Sequence, residues 1–129
     1  GYSISAVDGA LDRLEDAFAG REIAKQREAL GQHAFGEYQS QIATAIKGRC
    51  ERPKGKRFDS STLLLRGYSR KQVDALVERI YRHLNGSQAL PIDDVRRVIF
   101  KSVRFGYQES QVDAFIERTV ELLQIERNS

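Results

Sequence analysis

This chain has little of what covalent or metal-held folds are made from: one cysteine, two prolines, two histidines and no methionine in 129 residues. A lone cysteine, Cys50, excludes an internal disulfide and gives no sign of an oxidising compartment. His33 and His83 stand far apart with no ligand spacing around either, so no metal site is expected. The glycines never form a phosphate-binding loop. Cys50 lies beside Arg49 and Arg52, which would lower its pKa, but no base accompanies it. No catalytic residue and no cofactor are therefore expected. No apolar run approaches the roughly 20 residues of a membrane span, and no signal-peptide pattern opens the chain. A cytoplasmic protein is the expectation. No segment alternates apolar and polar residues over a strand's length, which points to an all-α fold.

What the chain does have is a repeat. Gly-Tyr-x4-Val-Asp occurs as Gly1-Tyr2…Val7-Asp8, Gly67-Tyr68…Val73-Asp74 and Gly106-Tyr107…Val112-Asp113. From this composition one such match at a given position has a probability of about 10⁻⁵, so three copies mean internal duplication. An acid-Arg pair recurs downstream as Asp12-Arg13, Glu78-Arg79 and Glu117-Arg118. The copies are unequally spaced, which argues against a regular solenoid. With no methionine, and with its first residue inside a repeat, the chain is expected to be a fragment of a longer protein.

Each copy reads as the start of a helix. In the second, Ser69 caps, Gln72 is placed to close a capping box, and Tyr68 faces Val73 as a hydrophobic staple. Ser3 caps the first copy; in the third, Gln108 is a poor cap and Gln111 sits at the box position. The three aspartates, one step past the staple, would favour the positive end of the helix dipole. The glycines would allow a special backbone angle or a close approach. Helical spacing then predicts a first helix through Val7, Leu11, Leu14 and Phe18 toward Leu30, with that stripe in a bundle core. A second follows Gly31 with Phe35, Tyr38, Ile42, Ala45 and Ile46 on one side and ends near Gly48, before Pro53. A third runs from Ser69 to Leu84 and stops at Asn85-Gly86. A short helix after Pro91 passes through Val95, Val98, Ile99 and Val103. The last carries Val112, Phe115, Ile116, Thr119 and Leu123. The expected architecture is a compact bundle of about five helices. It divides into 1–52 (first repeat and helical insert), a basic connector 53–66, and two tandem repeats in 67–129. From Lys47 to Arg57 six basic residues stand against Glu51 alone, so the chain's basicity is local.

The third copy with its upstream residues, Phe100-Lys101-Ser102-Val103-Arg104-Phe105-Gly106-Tyr107 through Phe115-Ile116, resembles the N-terminal domain of DivIVA, the bacterial pole- and septum-marking family. Leu65-Arg66-Gly67-Tyr68 shares the turn, and Arg52-Pro53-Lys54-Gly55-Lys56-Arg57-Phe58 is similar to a segment of multi-repeat DivIVA-domain proteins of high-GC Gram-positive bacteria. The resemblance implies a non-enzymatic scaffold of cell division or polar growth at the inner face of the cell membrane. It also implies contact with an anionic membrane through an apolar residue and an arginine before each Gly-Tyr. The residues concerned are Arg104 and Phe105, and Leu65 and Arg66. Lys54, Lys56, Arg57 and Phe58 would strengthen that contact. Expected partners are other cell-division or envelope-synthesis proteins and a second copy of the chain; nucleic acid is not expected. Two alternatives stand beside this: Phe105 and Leu65 plug the core, and the protein is an interaction module without lipid binding.

Overall fold

The structure, a computed structural model, describes residues 4–129. Gly1, Tyr2 and the Ser3 cap lie outside the described residues. The fold is all-α, with α1 (Ile4–Leu30), α2 (Gln32–Cys50), α3 (Arg70–Leu84), α4 (Ile92–Arg96) and α5 (Glu109–Arg127). One short antiparallel pair is added, β1 (Gly67–Tyr68) with β2 (Ser102–Val103).

The helix boundaries have local causes. Gly31, at φ 85, separates α1 from α2, a backbone angle that costs a glycine little. Glu51 ends α2, and Pro53 cannot resume it. The Ser69 hydroxyl accepts from the Gln72 amide at 3.3 Å to start α3, and Gly86 at φ 77 follows its end. Asp93 and Asp94 occupy the first turn of α4, where the dipole favours anions. That helix ends at Arg96 instead of continuing through Val103, because Ser102 and Val103 are taken up as β2.

α2 runs antiparallel to α5: Tyr38, early in α2, hydrogen-bonds Glu121, late in α5. α3 and α5 run in the same direction, with α2 packed against both. Their starts are joined by Tyr68 to Asp113 at 2.8 Å and their ends by His83 to Glu126 at 2.8 Å. One core holds Phe35, Ile42, Ile46 and Cys50 of α2 with Val73, Val77 and Ile80 of α3. Val95 of α4 and Val112, Phe115, Leu122 and Ile125 of α5 belong to it too, as do Ile23, Phe58, Leu90 and Tyr107.

α1 departs from expectation. Among its described side chains only Ile23 is buried. Val7, Leu11, Leu14 and Phe18, expected in the core, are 44–67% exposed. The inward face is instead polar. Asp16 pairs with Arg96 at 2.6 Å and Arg127 at 3.3 Å, and Asp12 accepts from Arg97 Nε at 2.8 Å. The Arg97 hydrogen bond holds the Asp12 carboxyl below its ordinary range. Charge, with little apolar burial, seats α1 on α4 and α5.

Candidate functional site

The second and third repeats meet about a pseudo-twofold axis, with the glycine, tyrosine and aspartate of each copy at that meeting. Tyr68 N–H donates to the Tyr107 carbonyl at 2.9 Å, and Tyr107 N–H donates to the Tyr68 carbonyl at 2.9 Å. The glycines sit where the two backbones touch. A Cβ on Gly67 would lie 2.2 Å from the Tyr107 carbonyl oxygen, and one on Gly106 would lie 2.4 Å from that of Tyr68. Close approach, and not an unusual backbone angle, is therefore what requires glycine here; neither has a positive φ.

The side chains exchange in the same way. Tyr107 donates its hydroxyl proton to Asp74 Oδ1 at 2.7 Å, and Tyr68 donates to Asp113 Oδ1 at 2.8 Å. Each repeat's tyrosine thus serves the other repeat's aspartate. This corrects the expectation that the aspartates only answer the dipole of their own helices. Phe58 packs on Tyr107 and Phe100 on Tyr68, both at 5.2 Å between ring centroids. The backbone repeats the pattern: Ser69 N–H donates to Lys101 O and Gln108 N–H to Asp59 O, both at 2.9 Å. Lys101 N–H then donates to Gln72 Oε1 at 2.7 Å, and Asp59 N–H to Gln111 Oε1 at 2.8 Å. The capping box expected of Gln72 is not closed, because its amide is used across the pair instead.

The two halves differ in depth. Tyr107 is fully buried, and Asp74 is nearly so, accepting also from Gly55 N–H at 2.8 Å and pairing with Arg57 at 3.2 Å. Arg70 lies over the Tyr107 ring, 5.2 Å from its centroid. Asp113 is exposed. Burial, then the aspartate bond, pushes both the Tyr107 and Tyr68 hydroxyls up to about 12.

The expected contact residues divide. Arg57 and Phe58 are buried, correcting their assignment to an exposed surface. Phe58 is wedged between Tyr107 and Phe115, and Arg57 Nε donates to the carbonyls of Cys50 and Arg52. Lys54 and Lys56 are exposed, Lys54 pairing with Glu78 at 3.0 Å. Leu65 and Phe105 are exposed, so neither plugs the core. They stand together with Leu63 and Leu64, which the sequence reading did not single out although the run of three leucines in a loop was the available signal. Thr62 accepts from the Phe105 amide at 3.4 Å and donates its own amide to Leu65 O at 2.9 Å, bringing both turns to one tip. Arg66, exposed, reaches the Ser102 carbonyl at 3.0 Å, and Arg104, next to Phe105 in sequence, is exposed as well. Phe105 has φ 57, a left-handed angle that bulky residues rarely adopt.

Cys50 is buried, and desolvation pushes its thiol up to about 11, the reverse of the lowering expected from its arginine neighbours. His83 bonds Glu126 and lies 3.2 Å from the Gln88 carbonyl. Among the described residues no group of three or more His, Cys, Asp or Glu is arranged to hold a metal ion, and no helix is long and apolar enough to cross a membrane. Comparison of the chain with protein-family models, with curated proteins and with solved structures yields no match.

Proposed function

We propose that this chain is a non-enzymatic scaffold of the DivIVA type, serving bacterial cell division or polar growth, whose paired turns rest on an anionic membrane surface. The observation that carries the reading is the tip itself. Leu64 is 90% exposed, with Leu63, Leu65 and Phe105 also open to solvent, and Arg66 and Arg104 flank them. A phenylalanine at φ 57 costs about 1–3 kcal/mol relative to a relaxed residue. Its ring recovers little of that by burial in the isolated chain. An aromatic kept at such a position fits a surface that meets something apolar outside the molecule. Insertion of leucine and phenylalanine side chains at the headgroup boundary supplies apolar energy. Each arginine near an anionic leaflet adds about 1 kcal/mol. The paired glycine turns hold the tip rigidly against the bundle, leaving the other faces free for cell-division or envelope-synthesis partners.

Cosedimentation with phosphatidylglycerol vesicles tests this. Binding is expected at low salt, weakening as salt rises and absent with phosphatidylcholine alone. Phe105→Asn relieves the backbone strain and is expected to raise stability by about 1 kcal/mol while reducing vesicle binding. Absence of binding at low salt, or binding untouched by Phe105→Asn together with Leu64→Ser, would overturn the membrane reading.

A further inference from the structure

We propose that the groove between α2 and α5 receives a short acidic segment of a partner protein, one apolar side chain entering the cavity and its carboxylates meeting Arg49 and Arg118. Where Ala45 of α2 and Ala114 of α5 line the groove, neither helix supplies enough side chain to close the space between them. The cavity left there has a volume of about 380 Å³, inside the range of roughly 300–1,000 Å³ that ligand-binding clefts occupy. Its floor is apolar, from buried Ile46 and Phe115. A further space of about 140 Å³ beside Tyr38, Gln41 and Ile42 extends it, with Ala45, Ile46 and Arg118 common to both.

The charge at the groove chooses the occupant. No carboxylate lines either space, and two guanidiniums do. Arg118 is paired with Glu121 at 2.9 Å. Arg49 has no ion pair: it donates to the Arg57 carbonyl at 3.0 Å and lies over the Phe58 ring, 4.9 Å from its centroid. Asp59, whose charge reaches Arg49, is itself bound by Gln111 at 2.9 Å. Desolvation, and then the charge of Arg52, lower the Arg49 pKa from its ordinary value. A half-buried guanidinium held in place with donors to spare is prepared for a carboxylate. The basic run from Lys47 to Arg57 finds a use here. Arg57 is neutralised by Asp74 and Lys54 by Glu78, whereas among the described residues no ion pair reaches Lys47, Arg49, Arg52 or Lys56. Arg49 is the one of these four that enters the groove. A flat anionic leaflet cannot follow a groove sunk between two helices, and a peptide segment can. The groove shares no residue with the tip that carries Leu64 and Phe105, so the proposal stands apart from the membrane reading.

Amide chemical shifts of the isotope-labelled 129-residue chain test it, during titration with a short blocked peptide alternating leucine with glutamate. Shifts are expected at Ala45, Ile46, Ala114 and Phe115 and not at Leu64 or Phe105. Binding should show a Kd of about 1 mM or tighter and weaken as salt rises. Ala114→Leu, at an exposed position, fills the cavity and leaves the charges alone, while Arg49→Gln removes the charge and leaves the cavity. Each should weaken binding by about 10-fold or more, and thermal unfolding should show Ala114→Leu as stable as the parent. No shift at about 5 mM peptide would overturn the proposal. So would equal binding by the counterpart peptide with lysine in place of glutamate, or binding indifferent to Ala114→Leu. Shifts at the same amides from short-chain phosphatidylglycerol, with none from the peptide, would give the groove to lipid and overturn it as well.

Discussion

Replacing Gly67 or Gly106 by alanine should be far more damaging than the addition of one methyl group suggests. A Cβ at Gly67 would sit 2.2 Å from the Tyr107 carbonyl oxygen and 2.9 Å from Gly106 C; at Gly106 it would sit 2.4 Å from the Tyr68 oxygen and 2.8 Å from Gly67 C. Those neighbours are backbone atoms and cannot swing aside. Carbon meets a carbonyl oxygen comfortably at about 3.3 Å, so the turns must part by about 1 Å. Such a displacement takes the two reciprocal Tyr68–Tyr107 bonds, both 2.9 Å, outside hydrogen-bonding range. Two bonds at about 1 kcal/mol each, plus about 1–3 kcal/mol of overpacking, give a loss of about 3–5 kcal/mol. Against a typical domain stability of about 5–15 kcal/mol this is a large fraction. Urea denaturation should show a midpoint lowered by about 2 M at unchanged slope. Gly36 and Gly48, inside α2 with nothing within 4 Å of an added Cβ, supply the opposite case. There the same substitution should stabilise by about 0.5–1 kcal/mol. If Gly67→Ala and Gly106→Ala stay within about 1 kcal/mol of the parent, close approach is not why glycine stands there.

The tyrosine exchange makes two further predictions. Tyr107→Phe removes a bond to the buried Asp74 carboxylate and should cost about 1.5–3 kcal/mol, while Tyr68→Phe, facing exposed Asp113, should cost under about 1 kcal/mol. Chemical denaturation ranks the two, and the reverse order would contradict the buried-carboxylate account. Alkaline titration of the phenolate absorbance should resolve a late pair of tyrosines, since Tyr68 and Tyr107 are held up to about 12. Their folded values lie above the unfolded value of about 10, so their contribution is whole below pH 10 and is lost as pH rises toward 12. Tyr107→Phe should flatten that alkaline loss; an unchanged profile would refute the assignment.

The helices and the duplication are legible in the sequence because both rest on local pattern: apolar spacing, Gly31, Pro53 and Asn85-Gly86. The exchange between repeats is not, because sequence shows which residues recur and not which copy each one serves. Tyr68 and Val73 at staple spacing, with Asp74 next to them, satisfy a local explanation completely. The true acceptor of Tyr68, Asp113, lies 45 residues away. The stripe on α1 fails for a related reason: three- and four-residue steps look alike in a bundle core and on an exposed helix face. Only its exposure separates the two.

One signal was available and is instructive. Phe58-x-Ser60 and Phe100-x-Ser102 precede the second and third copies, and Ser60 and Ser102 pair with Tyr107 and Tyr68 respectively. The upstream half of the repeat is thus duplicated too, but three extra residues before Gly67 hide the match. That difference falls in the loop bearing Leu63, Leu64 and Leu65, away from the paired backbone. A repeat junction fixed by main-chain contact tolerates change only where no partner backbone lies against it. The tip is therefore the part of the pair free to diverge, and in this chain it has diverged toward exposed leucine. A loop under selection for solubility alone would not collect three leucines there, and that exposure is what supports the proposal that the tip meets another body.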